Sequence, residues 1–295
     1  MVALKRPRTY AEQLSRLKDD HNLCIADDQA AIDILRRVNY YRLSAYGLGL
    51  TQPDDKERYR DGITIEHIHR LYVFDSKLRS ILFPAIEMLE IQLRAQISNH
   101  LALTYGADGY MNAENFNDKA TGNGKTVHEK LMADFKQECR RQRNAPFVRH
   151  HMDKYDGRFP AWVAVELFTF GNLSSIYAIM KPEDRKAIAS LYSTSPEYLS
   201  SWILSFVEIR NICAHYGRIY NMPLKQSPAL YREYRMYRSG RISRLFPVLL
   251  AMKRAFQSDD RWGVVKTNLE ALMDEYADVV ILHFIGFPPN WRELL

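Results

Sequence analysis

An apolar residue recurs every three to four positions through most of this chain, most persistently over residues 64 to about 105. There Leu71, Phe74, Leu78, Ile81, Ile86, Leu89 and Leu93 fall on one side of a helix. A sheet would require runs of alternating residues bounded by hairpin turns, and no such run stands out. The chain is therefore expected to be all-α, a multi-helix bundle, with Pro84 kinking or dividing its longest helix.

Punctuation divides the pattern further. Helices are expected over residues 9–21, over 27–38 with Asp27 as the cap, and over 126–143 with Thr126 as the cap. Pro160 opens an apolar helix that Gly171 punctuates, another runs on to residue 180, Pro182 starts the next, and a last helix spans about 260–284. Ser195-Pro196 is a strong start signal for a helix over about 196–216, where Gly217 can supply a left-handed cap. Residues 106–125, rich in Gly, Asn and Asp, read as a surface loop. They do not force a domain boundary, so residues 1–295 read as a single domain.

A chain of 295 residues with 46% apolar composition can bury a large core. Cys24, Cys139 and Cys213 are too few and too scattered for a disulfide framework or a zinc site, which suits a reducing, cytoplasmic setting. The first ten residues lack the apolar core of a signal peptide, and runs such as 279–287 are too short to span a bilayer, so no membrane partner is expected. The net charge of +6 favours polyanionic partners.

Arg210-Asn211-Ile212-Cys213-Ala214-His215 places a fixed cation, an amide and a titratable imidazole in one hexad. Spacing alone is a loose criterion, since Arg16 with His21, Arg60 with His67, Arg94 with His100 and Arg143 with His150 also satisfy it. Arg60 leads into Asp61-Gly62, and Arg143 into Asn144-Ala145-Pro146, both loop signals. Arg16 sits at a fraying helix end, and Arg94 is followed by Ala95 rather than a polar group. Only Arg210 combines an unbroken helical frame with an adjoining amide. On an ideal helix Asn211 and His215 lie about 40° apart and Arg210 and His215 about 140° apart, so the arginine must wrap toward them or reach across to a second copy of the helix. The plainer reading is that Arg210 and His215 only cap carbonyls at a helix C-terminus, where cations are favoured.

Metal-free RNA cleavage needs a base for the 2′-hydroxyl, an acid for the leaving 5′-oxygen and a cation for the phosphorane. One chain offers one good imidazole. Two chains about a two-fold axis offer two, so a homodimer with a composite site is expected.

A second basic segment sets Arg232, Arg235, Arg238, Arg241 and Arg244 at every third position with Tyr234 and Tyr237 between them. These are candidate RNA-binding residues, the arginines for phosphates and the tyrosines for stacking on unpaired bases. On an α-helix a three-residue step drifts by about 60° per repeat, giving a slow spiral, and the alternative is a solvated basic surface with tyrosines packed beneath. Residues 136–151 form another basic patch, read as solvated surface. The segment 119–126 lacks the first glycine of a phosphate-binding loop, because residue 119 is Lys119, and no strand precedes it. Glu87, Glu90 and Arg94 share a helical stripe, with Glu90 and Arg94 an ordinary i,i+4 pair of structural role. His67 with His69, and His150 with His151, lack the spacing of metal ligands, and neither a metal nor another cofactor is expected.

The ordered set Asn39-Tyr40-Tyr41-Arg42-Leu43-Ser44-Ala45-Tyr46, Leu71-Tyr72-Val73-Phe74-Asp75 with Leu78-Arg79, and Ala85-Ile86-Glu87-Met88-Leu89-Glu90-Ile91 through Arg94 resembles the Abi-like (AbiD/AbiF type) abortive-infection family. Phe170-Gly171-Asn172-Leu173-Ser174, residues 209–221 and Gly286-Phe287-Pro288-Pro289-Asn290-Trp291 continue the likeness over nearly the whole chain. The hexad is similar to the signature of HEPN ribonuclease domains. The resemblance implies an all-helical fold with a HEPN-like core, dimerisation, and metal-independent endoribonuclease activity in antiphage defence or as a regulated toxin. Products would carry 2′,3′-cyclic phosphate and 5′-hydroxyl ends. Arg210, Asn211 and His215 fall on the catalytic arginine, its polar neighbour and the histidine. Tyr216 stands where many relatives carry a second histidine. RNA is the implied partner, with an inhibitory RNA or protein as a further one. The reading of another class is a non-catalytic RNA-binding or partner-binding module of a defence system.

Overall fold

The computed structural model describes residue 4 and residues 6–118, 124–238, 243–257 and 260–295. In chain order its helices are α1 Tyr10–Ser15, α2 Asp28–Arg37, α3 Tyr40–Ser44, α4 Ile65–Tyr105, α5 Val127–Arg141, α6 Pro146–Lys154 and α7 Ala161–Ala164. There follow α8 Phe170–Ile179, α9 Pro182–Ser190, α10 Pro196–Ala214, α11 Leu245–Phe256, α12 Asp260–Glu275 and α13 Trp291–Leu294. Short 3₁₀ turns and a π turn at Arg16–Asp20 join them, and the described residues pair only in isolated bridges, not in a sheet. The protein is all-α. Among the described residues, no helix is long and apolar enough to cross a membrane.

The axis of the fold is α4, whose 41 residues extend about 60 Å at the usual helical rise. Thr64 starts it by accepting the His67 amide. Its buried residues recur at helical spacing from Ile65 through Phe74, Leu82 and Leu93 to Leu101, and α7, α8, α9, α10 and α12 all pack on it. Pro84 does not divide this helix. The bond its ring removes is one of many, and the neighbouring Leu82, Ala85 and Ile86 are all buried, so packing holds the helix through it.

Local capping chemistry sets most of the other boundaries. Asp27 accepts the amides of Gln29 and Ala30 ahead of α2, and Thr126 with Glu129 closes a reciprocal capping box ahead of α5. Lys119 and residues 121–123 of the discarded phosphate-loop reading lie outside the described residues. Two expected boundaries move. The break near Gly171 falls earlier, because Thr169 and Asn172 form a capping box that starts α8 at Phe170 and leaves Gly171 in its first turn. The last long helix stops at Glu275 rather than near residue 284. Arg70 takes the Glu275 carbonyl at 3.2 Å and the Asp278 carboxylate at 2.7 Å, while the Tyr220 hydroxyl accepts the Ile281 amide at 3.1 Å. These tertiary partners satisfy groups that a longer helix would have paired internally.

Candidate active site

Helix α10 carries the hexad because its buried residues Leu199, Trp202, Ile203, Phe206, Ile209 and Cys213 face α4 and α8, which turns Asn211 outward. His215 is the C-cap, and its exposed ring makes no hydrogen bond among the described residues. The chain then leaves through a Schellman turn, in which the Tyr216 amide reaches the Cys213 carbonyl at 3.2 Å and the Gly217 amide the Ile212 carbonyl at 2.7 Å. The left-handed residue of this turn is Tyr216, with φ 54°, not Gly217. Gly217 instead packs close to the end of α10. A Cβ there would sit 3.1 Å from Ile212 Cγ2 and 3.2 Å from the Ile212 carbonyl oxygen.

Arg210 is fastened from α4. Its Nε lies 3.4 Å from Glu90 Oε2, while Arg94 Nη2 donates to Glu90 Oε1 at 2.6 Å and Arg94 Nη1 to the Val165 carbonyl. The Glu90 carboxylate thus lies between two guanidiniums in a largely dry setting, a geometry that fixes side-chain direction. Arg210 keeps a third of its side chain exposed, and its Nη1 is 3.5 Å from Asn211 Oδ1. Arg210 and His215 are not joined by a hydrogen bond among the described residues; Asn211 lies beside the first and one helical turn from the second.

The segment that follows the hexad is clamped by a buried carboxylate. Asp75, wholly inaccessible on α4, accepts the Ile219 and Tyr220 amides on Oδ1 at 3.0 and 2.7 Å, and the Tyr46 hydroxyl on Oδ2 at 2.7 Å. Arg79 donates to the same Oδ2 and, at 3.0 Å, to the Gly217 carbonyl. Burial pushes the Asp75 carboxyl up from its ordinary range, against the pull of Arg79, Tyr46 and the two amides. Burial and the Asp75 charge likewise push the Tyr46 hydroxyl up. From the other side Arg42 of α3 holds the Tyr216 carbonyl at 2.7 Å, Arg218 donates to the Ala45 carbonyl, and Asn221 Nδ2 reaches the Leu48 carbonyl at 2.7 Å. The helix end that bears His215 is therefore held in place while its ring stays in solvent. Cys213, inside the hexad, is buried, and burial pushes its thiol up to about 12, so it stays protonated near neutral pH.

Between α4 and α10 lies an open groove of about 520 Å³, walled by Ser76, Arg79, Ser80, Phe83, Pro84, Cys213, Ala214 and Tyr216. It ends beside His215 in the chain. Among the described residues no three His, Cys, Asp or Glu side chains gather as a metal-ligand set.

The second arginine series folds differently from an α-helical spiral. Arg232–Tyr237 is a 3₁₀ turn, so a three-residue step returns to the same face. Arg232, Arg235 and Arg238 are exposed together, and Tyr234 and Tyr237 are half-buried against the core, Tyr237 edge-on to Phe246 at 5.6 Å. Arg244 is drawn inward, donating to Asn221 Oδ1 at 3.4 Å and to the Phe284 carbonyl at 3.3 Å. Arg241 lies outside the described residues. The other arginine–histidine pairs go elsewhere: Arg16 Nε donates to His21 Nε2 at 3.0 Å, and His100 pairs with Asp184 at 2.7 Å.

One signal aside, nothing in the local sequence around Asp75, Arg79, Tyr46, Arg42 and Glu90 marks them as builders of a site. Asp75, Arg79 and Glu90 are charges at buried positions of the apolar stripe of α4. Charges placed there must be paired.

A family model described as Abi-like protein matches residues 33–221, a span that runs from α2 through the hexad to Asn221. No curated protein and no solved structure matches the chain. The matched span contains every residue of the Asp75 clamp and both partners of the Arg210–Glu90 pair. By that match, the chain belongs to the Abi-like protein family.

Proposed function

We propose that the protein is a metal-independent endoribonuclease of the HEPN type, acting in antiphage abortive infection or as a regulated toxin. Membership of the Abi-like family supports the defence setting. The observation that carries the reading is the placing of Arg210, Asn211 and His215 at a rigidly clamped helix end, with His215 exposed and Arg210 held through its Nε edge by buried Glu90. A guanidinium paired on that edge turns Nη2 toward phosphate oxygens, with Nη1 in only a long 3.5 Å contact with Asn211 Oδ1.

In this mechanism His215 takes the proton of a 2′-hydroxyl, the 2′-oxygen attacks phosphorus, and the bond to the 5′-oxygen breaks. Arg210 stabilises the charge that builds on the equatorial oxygens. The products are a 2′,3′-cyclic phosphate and a 5′-hydroxyl. The leaving 5′-oxygen needs a proton, and a second copy of α10 brought across a two-fold axis supplies it from a second His215 in its protonated, imidazolium form.

Purified protein incubated with mixed RNAs in chelator tests the assignment. Arg210→Ala and His215→Ala, with folding preserved, should each lower cleavage by about 100-fold or more. Cleavage retained in either variant contradicts the site. RNA bound but never cut by the wild-type protein would favour a binding module, with the exposed Arg232, Arg235 and Arg238 face as its contact surface.

A further inference from the structure

A second concave site lies on the far side of α3. The segment before α1, the π turn after it and the loop after α3 enclose a cleft of about 470 Å³ whose walls include Arg6, Arg8, Arg16, Lys56, Tyr40 and Tyr41. Four cations and one carboxylate, that of Glu57, line this cleft, and of the cations Arg16 also lies 3.7 Å from the Asp20 carboxylate. Arg6 also pairs with Glu12 at 3.2 Å, and Arg16 is braced by its bond to His21 Nε2, whose Nδ1 lies 2.6 Å from the Glu57 carbonyl oxygen. Tyr41 is 84% exposed although a large ring ordinarily seeks cover.

The helix that walls the cleft also touches the turn that follows the hexad. Tyr40, Tyr41 and Ser44 of α3 line the cleft, and Arg42, in the same turn, holds the Tyr216 carbonyl next to His215. A ligand seated against Tyr41 would thus contact the same short helix that holds the residue after His215.

We propose that this cleft binds single-stranded RNA, with Arg6, Arg8 and Lys56 on phosphates and Tyr41 stacked on an unpaired base, as the segment flanking the bond to be cut. Guanidiniums beside an open aromatic face are the chemistry of single-strand recognition, whereas an acidic protein segment would leave the ring unused. The place of the subsite next to the scissile bond rests on the ribonuclease reading; the binding itself does not.

The test is fluorescence anisotropy of a labelled ten-residue oligouridylate on full-length His215→Ala protein across a sodium chloride series. Arg6→Glu with Arg8→Glu should weaken binding about tenfold or more, and should flatten the slope of log Kd on log salt by about 0.7 for each phosphate that is no longer neutralised. Tyr41→Ala should weaken binding about fivefold or more with the salt slope unchanged. Circular dichroism checks that the folds match. Affinity equal to the parent's in both variants overturns the proposal, as does a parent that binds polyglutamate but not the oligonucleotide. The two readings separate cleanly. Cleavage that depends on His215 while these variants keep full affinity removes the subsite alone. Cleft-dependent binding by a wild-type protein that never cuts RNA removes the ribonuclease alone.

Discussion

Asp75 is the residue on which the geometry of the site most depends, because one buried carboxylate accepts from a tyrosine, an arginine and two successive amides. Asp75→Asn keeps the shape but turns an acceptor edge into a donor facing Tyr46 and Arg79, and it removes the counter-charge of a guanidinium that is itself buried. The expected cost is about 3–5 kcal/mol, read as a lower urea midpoint. A variant within about 1 kcal/mol of the parent would mean that the clamp is not needed for the fold. Tyr216 gives the opposite sign. It holds φ 54° with 71% of its surface exposed, so Tyr216→Gly relieves backbone strain and gives up little packing. Stability should rise by roughly 0.5–1 kcal/mol after glycine's larger unfolded-state entropy is deducted. A fall in midpoint would show that the tyrosine ring contributes more than its exposure suggests.

Among the elements, α4 and α10 were legible in the sequence and their partnership was not. The apolar stripe and Thr64 define α4, and Ser195-Pro196 opens α10, since caps and periodicity act within a few residues of chain. The hold of Glu90 on Arg210 was out of reach, because an i,i+4 partner at Arg94 already accounts for the carboxylate and nothing local announces a second. The same limit explains the last long helix, whose end is set by Arg70 from α4. Gly217 misled because glycine serves both left-handed turns and close packing, and here it serves the second. The arginine series misled because a three-residue step means a spiral on an α-helix and a single face on a 3₁₀ turn. Pro84 offers a test at this scale. It is exposed in the middle of an unbroken helix, so Pro84→Ala restores an amide opposite the Ser80 carbonyl. Thermal or urea unfolding should show a gain of about 1–3 kcal/mol. No gain would mean that the helix is already bent to suit the proline.

The whole molecule responds to acid through histidines that the fold prefers neutral. Burial holds His67 and His69 below their ordinary value, and the His67 Nε2 is buried without a hydrogen-bond partner among the described residues. Below about pH 6.5 the unfolded chain therefore binds more protons than the folded one at these sites. Stability should fall as pH drops from that value toward the lowered folded values, and His67→Gln should flatten the decline measured by urea midpoints. An unchanged slope in that variant would remove His67 from the account. The wider claim is that two copies of a clamped helix end perform transesterification on RNA without a metal. Its most direct measurement is the chemistry of the cut ends after wild-type protein meets RNA in excess chelator. The account predicts 2′,3′-cyclic phosphate and 5′-hydroxyl termini, and no cutting of the matching 2′-deoxy strand. Termini bearing 3′-hydroxyl and 5′-phosphate, or equal cutting of the deoxy strand, would contradict it.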